Sequence, residues 1–147
     1  MKVKIDRYFR KYEEVTPAVV KDAGVKLLLC DLDYTLVPRW VRQPTIKCAK
    51  WIKTLQKHGI TVVIISNNRS KRRVQKFINM LSTGSSQQIL AYHHTQKPCP
   101  IRIWAIIKHL GFQRRETALL GDRLHTDMQA ANKAHIRAWK VPHRILI

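Results

Sequence analysis

Acidic residues are scarce in this chain, which has 9 Asp and Glu against 28 Lys and Arg among its 147 residues. The resulting formal net charge of +19 at pH 7 favours polyanionic partners, such as nucleic acid or an anionic membrane surface. A solvated basic surface without a specific partner is the alternative, because net charge alone identifies no binding site. The few carboxylates are therefore the more informative residues.

Cysteine and long apolar runs are also scarce. The three cysteines, Cys30, Cys48 and Cys99, are odd in number, widely spaced and without a C-x-x-C pair, so neither a disulfide framework nor a zinc site is indicated. No apolar run approaches the roughly 18 residues that a membrane-spanning helix needs, and the first residues lack the apolar segment of a signal peptide. We expect a soluble, cytoplasmic protein whose contact with a membrane, at its inner face, is at most peripheral.

Apolar runs and apolar stripes alternate along the chain. Five runs with β-branched residues are predicted as strands: Val25 to Cys30, Ile60 to Ser66, Gln88 to His93, Thr117 to Gly121 and Ile136 to Val141. Helical spacing is found in three segments: Ile46 to Leu55, Val74 to Leu81 and Ile103 to Leu110. This alternation indicates a Rossmann-like, doubly wound α/β fold with a mainly parallel five-stranded sheet.

The length fits one domain over residues 1–147, with a leading segment at 1–24 and a core at 25–141. In the leading segment, a short helix or turn is predicted to begin at Pro17. The stretch "STGSSQQ", residues 82–88, has the composition of a flexible connector. We see no second domain and no internal repeat.

The acids that follow the first strand lie mostly at the ends of predicted strands. Asp31 and Asp33 follow the first strand, and Asp122 and Asp127 follow the fourth. Ligands of parallel sheets bind at the carboxyl ends of the strands, so we expect these carboxylates to meet at one edge. That edge also receives the residues that follow the second and third strands, which are Ser66, Asn67, Asn68 and Lys97.

Carboxylates gathered at one edge repel one another unless a cation joins them, and an oxygen-ligand site with open water positions suits Mg²⁺. A carboxylate beside Mg²⁺ can attack a phosphoryl group to form an aspartyl-phosphate, while a second protonates the leaving oxygen and later activates water. Lys97 would offset the charge on the phosphoryl oxygens, and Ser66 with adjacent backbone amides would hold them. The structural alternatives are that the aspartates close turns and that Asn67 only caps a helix.

Four short motifs carry a family resemblance. In their order and spacing, "DLDYTLV", "SNN", "KP" and "GDRLHTD" resemble the motifs of the haloacid dehalogenase (HAD) superfamily of phosphatases. The resemblance extends from Val15 to Val141 and is closest to the YqeG-type subfamily IIIA. It implies a phosphatase with the HAD-like fold, in which Asp31 is the nucleophile, Asp33 the acid and base, and Thr35 a support for the loop.

The resemblance also implies a phosphate site and a Mg²⁺ site. The substrate phosphate would be bound by Ser66, Asn67 and Lys97, of which Lys97 also neutralises charge in catalysis. The metal ligands would be Asp31, Asp33 through its backbone carbonyl, Asp122 and Asp127. The relatives usually carry glycine where this chain has His135, so a turn that requires positive φ is expected there.

HAD phosphatases often have a cap domain between the motifs. The segments from Asp31 to Ser66 and from Ser66 to Lys97 have room for one helix and one strand each, so we expect no cap domain and an open site. An open site suits a large phosphorylated substrate. The relatives include phosphatases that act on phosphatidylglycerophosphate, and an anionic membrane would suit the basic surface. The alternative is a non-catalytic, basic, nucleic-acid or ribosome-associated binding protein on the same fold.

Overall fold

One parallel sheet organises the fold. The computed structural model describes residues 2–81 and 89–146, and six strands in this part of the chain form a sheet in the order β1-β6-β5-β2-β3-β4. Every neighbouring pair is parallel. The strands are β1 (Arg7–Tyr8), β2 (Leu27–Asp31), β3 (Thr61–Ile65), β4 (Leu90–Tyr92), β5 (Thr117–Gly121) and β6 (Arg137–Lys140).

The five predicted strands are confirmed as β2 to β6, but the prediction of five in total was wrong because β1 adds a sixth beside β6. β1 has two residues, Arg7 and Tyr8, both exposed, so no apolar run marks it in the sequence. Backbone hydrogen bonds such as Phe9 N to Lys140 O, at 2.8 Å, hold it at the edge of the sheet. Such pairing needs no side-chain pattern.

Five α-helices lie in the described residues: α1 (Pro17–Asp22), α2 (Ile46–Lys57), α3 (Lys71–Leu81), α4 (Ile101–Leu110) and α5 (Gln129–Ala134). Short turns of other helix types lie at Tyr12–Glu14, Leu124–Met128 and Arg114–Glu116. The helix predicted at Pro17 is confirmed, and the Thr16 side chain caps it by accepting a hydrogen bond from Val19 N. The connector predicted at residues 82–88 lies outside the described residues.

Helices cover both faces of the sheet, which confirms the doubly wound α/β fold. On one face, α2 and α3 pack on the alternate side chains of β2 that include Leu28. On the other, α4 and α5 pack on those that include Leu27. Ile46, predicted in the apolar stripe of α2, is instead 78% exposed, because it is the first residue of that helix and lies beyond the packed face.

The connections at the carboxyl edge of the sheet are short. Helix α2 is the only helix between β2 and β3, and the described residues between β3 and β4 contain α3 alone, so no cap domain is seen in them. Within residues 2–81 and 89–146, no helix combines the length and the apolar character needed to cross a membrane. The three cysteines are free.

Candidate active site

The predicted site residues meet at the carboxyl edge of the sheet. Asp31 is the last residue of β2, Ser66 directly follows β3, and Asp122 directly follows β5. Lys97 reaches them from the loop between β4 and α4. A cleft of about 220 Å³ opens at this edge, and six of the predicted residues line it: Asp31, Asp33, Ser66, Asn67, Lys97 and Asp127.

Three buried carboxylates form a cluster in this site. Asp31, Asp122 and Asp127 each offer one oxygen atom, and these atoms lie within 4.8 Å of one another. The three residues are only 8%, 6% and 1% exposed, so water screens their repulsion poorly. Gly121 allows the close approach of Asp127, because an added Cβ would collide with the Asp127 side chain. The glycine before Asp122 is therefore required for packing as well as for the turn.

Lys97 bridges two members of the carboxylate cluster. Its Nζ lies 2.8 Å from Asp31 Oδ1 and 2.7 Å from Asp127 Oδ1. Burial alone would lower the pKa of Lys97, but the charges of Asp127 and Asp31 outweigh it and raise that pKa. For Asp31, burial and then repulsion by Asp127 raise the pKa well above its ordinary value, against the opposing effect of Lys97. The single positive charge of Lys97 therefore does not neutralise the negative charge of the three carboxylates.

The Thr35 hydroxyl lies between two carboxylates. Its Oγ1 is 3.0 Å from Asp31 Oδ2 and 3.2 Å from Asp122 Oδ1. Because a hydroxyl has one proton, Thr35 donates to one of the two at a time. Thr35 is only 1% exposed, and it joins the ends of β2 and β5 through these two carboxylates.

The residues after β3 are held by a local network. Ser66 Oγ accepts a hydrogen bond from Asn68 N at 3.0 Å. The Asn67 side chain exchanges two hydrogen bonds with the Lys97 backbone, since Oδ1 accepts from Lys97 N and Nδ2 donates to Lys97 O, both at 2.8 Å. The Thr95 hydroxyl lies 3.0 Å from Ser66 O. Asn67 thus fixes the loop that carries Lys97, while it also lines the cleft.

Asp33 does not belong to the carboxylate cluster but lines the cleft. Its Oδ1 accepts a hydrogen bond from Arg73 Nη2 at 2.8 Å. Arg73 Nη1 also donates to Val41 O at 2.8 Å, which holds the guanidinium in place. The structure therefore brings together the carboxylates of Asp31, Asp122 and Asp127, and it pairs that of Asp33 with a base on α3.

Comparison with known proteins identifies the family. The family model for haloacid dehalogenase-like hydrolase matches residues 43–141, which is more than half of the chain and includes Ser66, Lys97 and Asp122. The probable phosphatase YqeG of Bacillus subtilis (strain 168) is 30% identical over 129 residues, which cover 87% of this chain and 70% of that protein. The chain belongs to this family. The resemblance seen in the motifs is thereby confirmed, and so is the predicted class of enzyme, a HAD-type phosphatase.

Solved structures share the fold of this HAD-like hydrolase. A putative HAD superfamily (subfamily III A) hydrolase from Legionella pneumophila has a TM-score of 0.55 at 21% identity, over 71% of this chain and 59% of that one. The 3-deoxy-D-manno-octulosonate 8-phosphate phosphatase from Moraxella catarrhalis, in complex with a magnesium ion, a phosphate ion and KDO, has a TM-score of 0.54 at 17% identity, over 71% and 62%. The chain spans about three fifths of each of these two proteins. At such identities the likeness shows the fold alone.

His143 and Arg73 are among the residues of the HAD-like hydrolase site that the sequence reasoning missed. His143 Nδ1 lies 2.7 Å from Asp122 Oδ2, and its ring stacks on Tyr34 with centroids 3.9 Å apart. His143 follows β6, so the rule that ligands bind at strand ends could have found it. Arg73 carries no such signal, because it is one of several bases on α3 and meets Asp33 across 40 residues of sequence.

Proposed function

We propose that the chain is a Mg²⁺-dependent phosphatase that hydrolyses a phosphate monoester through an aspartyl-phosphate on Asp31. The observation that carries the proposal is the buried cluster of three carboxylates with Lys97 bonded to two of them. A protein that only binds polyanions has no use for such a cluster, because burying repelling charges costs stability.

The donor set of the cluster fits Mg²⁺. The metal prefers hard oxygen ligands and keeps several waters, and the three carboxylate oxygens of Asp31, Asp122 and Asp127 suit that preference. The raised pKa of Asp31, caused by burial and by Asp127, marks a site where a further cation would relieve repulsion. The magnesium and phosphate ions of the Moraxella phosphatase, which shares this fold, support the same assignment. The Asp33 backbone carbonyl is the further proposed ligand.

The proposed reaction divides its work among the residues of the cleft. When bound, Mg²⁺ would neutralise charge on the phosphoryl oxygens and on the carboxylates. An Asp31 oxygen attacks phosphorus, and the bond to the leaving oxygen breaks. Asp33, protonated when the substrate is bound, gives its proton to that oxygen, and the resulting carboxylate later takes a proton from the water that hydrolyses the aspartyl-phosphate. Lys97 stays charged, because Asp127 and Asp31 raise its pKa, and offsets the phosphoryl charge.

Binding of the phosphoryl group is assigned to the residues after β3. Ser66 and Asn67 line the cleft together with Lys97. The Asn67 side chain already bonds the Lys97 backbone, so it would act by holding Lys97 in position as well as by contact with the phosphate. Arg39 and Arg123 add two cations to the lining and favour an anionic substrate.

The proposed substrate is large or presented at a membrane, with phosphatidylglycerophosphate as the first candidate. The net charge of +19 would draw the protein to an anionic membrane surface. Trp40, beside the first motif, is 62% exposed, and such a side chain suits the interface of a bilayer. The proposed location is the cytoplasm, with peripheral contact at the inner face of the membrane. Nucleic acid remains the alternative polyanion.

The test measures phosphate release from an aryl phosphate and from phosphatidylglycerophosphate in vesicles, with and without Mg²⁺. Wild type should turn over only with the metal, and Asp31→Asn should abolish release. Asp22→Asn, an exposed position on α1, is the matched control and should behave as wild type. Folded, metal-loaded protein that releases no phosphate but binds RNA with a steep dependence on salt would favour the binding protein instead.

A further inference from the structure

A second pocket has a lining of basic and hydroxyl side chains. It has a volume of about 370 Å³ and is lined by Arg42, Ser70, Arg72, Arg73 and Lys76. Of these, the side chains of Arg42, Arg72 and Lys76 have no ion-pair or hydrogen-bond partner within residues 2–81 and 89–146. Four like charges around one cavity repel one another, and a bound anion would relieve that repulsion. We call this cavity the basic pocket.

Arg73 connects the basic pocket with the active-site cleft. Arg73 lines the basic pocket, and its guanidinium donates a hydrogen bond to Asp33, a residue that lines the cleft. The side chain is only 14% exposed, and its ion pair with Asp33 places the basic pocket next to the cleft. The loop after β2 also borders both, because Arg39 lines the cleft and Arg42 lines the basic pocket. A ligand that fills the cleft can therefore extend into the basic pocket.

We propose that the basic pocket binds a second phosphate group of the substrate. The inference rests on the proposed phosphatase function and narrows its substrate class to esters with two phosphate groups, of which one is the scissile monoester. Guanidinium groups bind phosphate oxygens in a bidentate manner, and the Ser70 hydroxyl supplies a further donor. Among the described residues, no carboxylate lines the pocket to compete with an anionic ligand.

The test compares linear alkanediol bisphosphates of increasing chain length with the alkyl monophosphates of the same lengths, as KM for phosphate release. For at least one length, wild type should have a KM about tenfold lower for the bisphosphate, as one charge-assisted contact would give. A tenfold difference in KM is larger than the difference expected merely because a bisphosphate offers two equivalent phosphate groups. A second series measures KM for two lipid substrates: short-chain, soluble phosphatidylglycerophosphate and the long-chain lipid in vesicles.

The double variant Arg42→Gln/Arg72→Gln should lose the preference for the bisphosphate and raise the KM for both lipid forms. The control Lys57→Gln/Arg115→Gln removes the same charge from exposed positions at the end of α2 and just before β5, at the opposite edge of the sheet. It should keep the preference. Thermal unfolding of both variants verifies that they fold.

Three results would overturn the proposal: no preference in wild type at any length, a preference that survives in the double variant, or an equal loss in the control. These outcomes leave the phosphatase function intact if monophosphates are hydrolysed. If no ester is hydrolysed, the phosphatase function fails, and calorimetric binding of the same bisphosphates tests the pocket separately. Binding about tenfold weaker in the double variant would then support it, and equal binding would refute it.

Discussion

Lys97 Nζ lies 2.7 Å from Asp127 Oδ1, and both side chains are almost completely buried. The same nitrogen lies 2.8 Å from Asp31 Oδ1, so one ammonium pairs with a carboxylate at the end of β2 and with another in the turn at Leu124–Met128. Removing one partner of a buried ion pair leaves the other charge without compensation. Replacement of Lys97 is therefore expected to lower both the stability of the fold and the activity strongly.

Lys97→Met should lower the free energy of unfolding by about 3 kcal/mol, since it leaves two buried carboxylates without their cation. Urea denaturation of the metal-free protein measures this. Lys108→Met, at an exposed position on α4, is the control and should change stability little. A loss below about 1 kcal/mol for Lys97→Met, the range of exposed ion pairs, would contradict the buried geometry.

Asp31→Asn should stabilise the metal-free protein at neutral pH, although it abolishes turnover. Because burial and Asp127 raise the pKa of Asp31, the folded state binds the proton more tightly than the unfolded state. That stability is complete below the ordinary pKa of an aspartate and is lost as pH rises through the raised value. The Asp31→Asn variant has no carboxyl group to ionise at this position, so it does not lose this stability as the pH rises.

The free energy of unfolding measured against pH in the presence of EDTA checks this prediction. The wild-type and Asp31→Asn curves should coincide at acid pH and separate as the pH rises, with the variant more stable. Asp22→Asn should follow the wild-type curve. Parallel curves for wild type and Asp31→Asn would show that the ionised Asp31 carboxylate carries no cost.

His143→Ala should weaken Mg²⁺ binding about tenfold, as expected for loss of a group that orients a metal ligand. His143 Nδ1 donates to Asp122 Oδ2 at 2.7 Å and fixes that carboxylate. Isothermal calorimetry gives the Mg²⁺ dissociation constant without any turnover. His143→Asn keeps a donor near the same place and should recover part of the affinity, while His109→Ala on α4 should have no effect. Equal affinity in wild type and His143→Ala would rule out the orienting role.

His135→Gly should raise the free energy of unfolding by about 1 kcal/mol, the cost of a left-handed conformation for a residue with a Cβ. His135 ends α5 with φ 59 and ψ 43, a left-handed conformation at the position where a turn with positive φ is expected from the sequence. Its side chain is exposed, so little packing is lost. His109→Gly, in the last turn of α4, should instead destabilise by about 1 kcal/mol. The prediction would be contradicted if thermal unfolding showed that both variants are more stable than wild type, or that both are less stable.

The strands that carry the site could be predicted because each is an apolar run that ends in a polar residue. Asp31, Ser66 and Asp122 follow such runs, and the rule for strand ends brought them to one edge. β1 was not predictable, since its two exposed residues pair through the backbone alone. The division into a leading segment at 1–24 and a core at 25–141 stays a prediction.

The contacts between side chains were less predictable than their positions. Asp33 and Arg73 meet across 40 residues, and nothing in the local sequence distinguishes Arg73 from its basic neighbours on α3. The role of Gly121 was also hidden, because it depends on the approach of Asp127 from the turn at Leu124–Met128. Pairings of this kind follow from how the elements pack, and a pattern of residue types does not contain that information.

The most direct test of the central claim is to trap the phosphoryl group on Asp31. A radiolabelled aryl phosphate is mixed with enzyme and Mg²⁺, quenched in acid within one turnover, and the protein is digested and mapped. The label should be sensitive to hydroxylamine, as an acyl phosphate is, and should lie on the peptide with Asp31. Asp31→Asn should carry no label. A wild-type enzyme that releases phosphate without any label on this peptide, or a label that persists in Asp31→Asn, would contradict the assignment of Asp31 as the nucleophile.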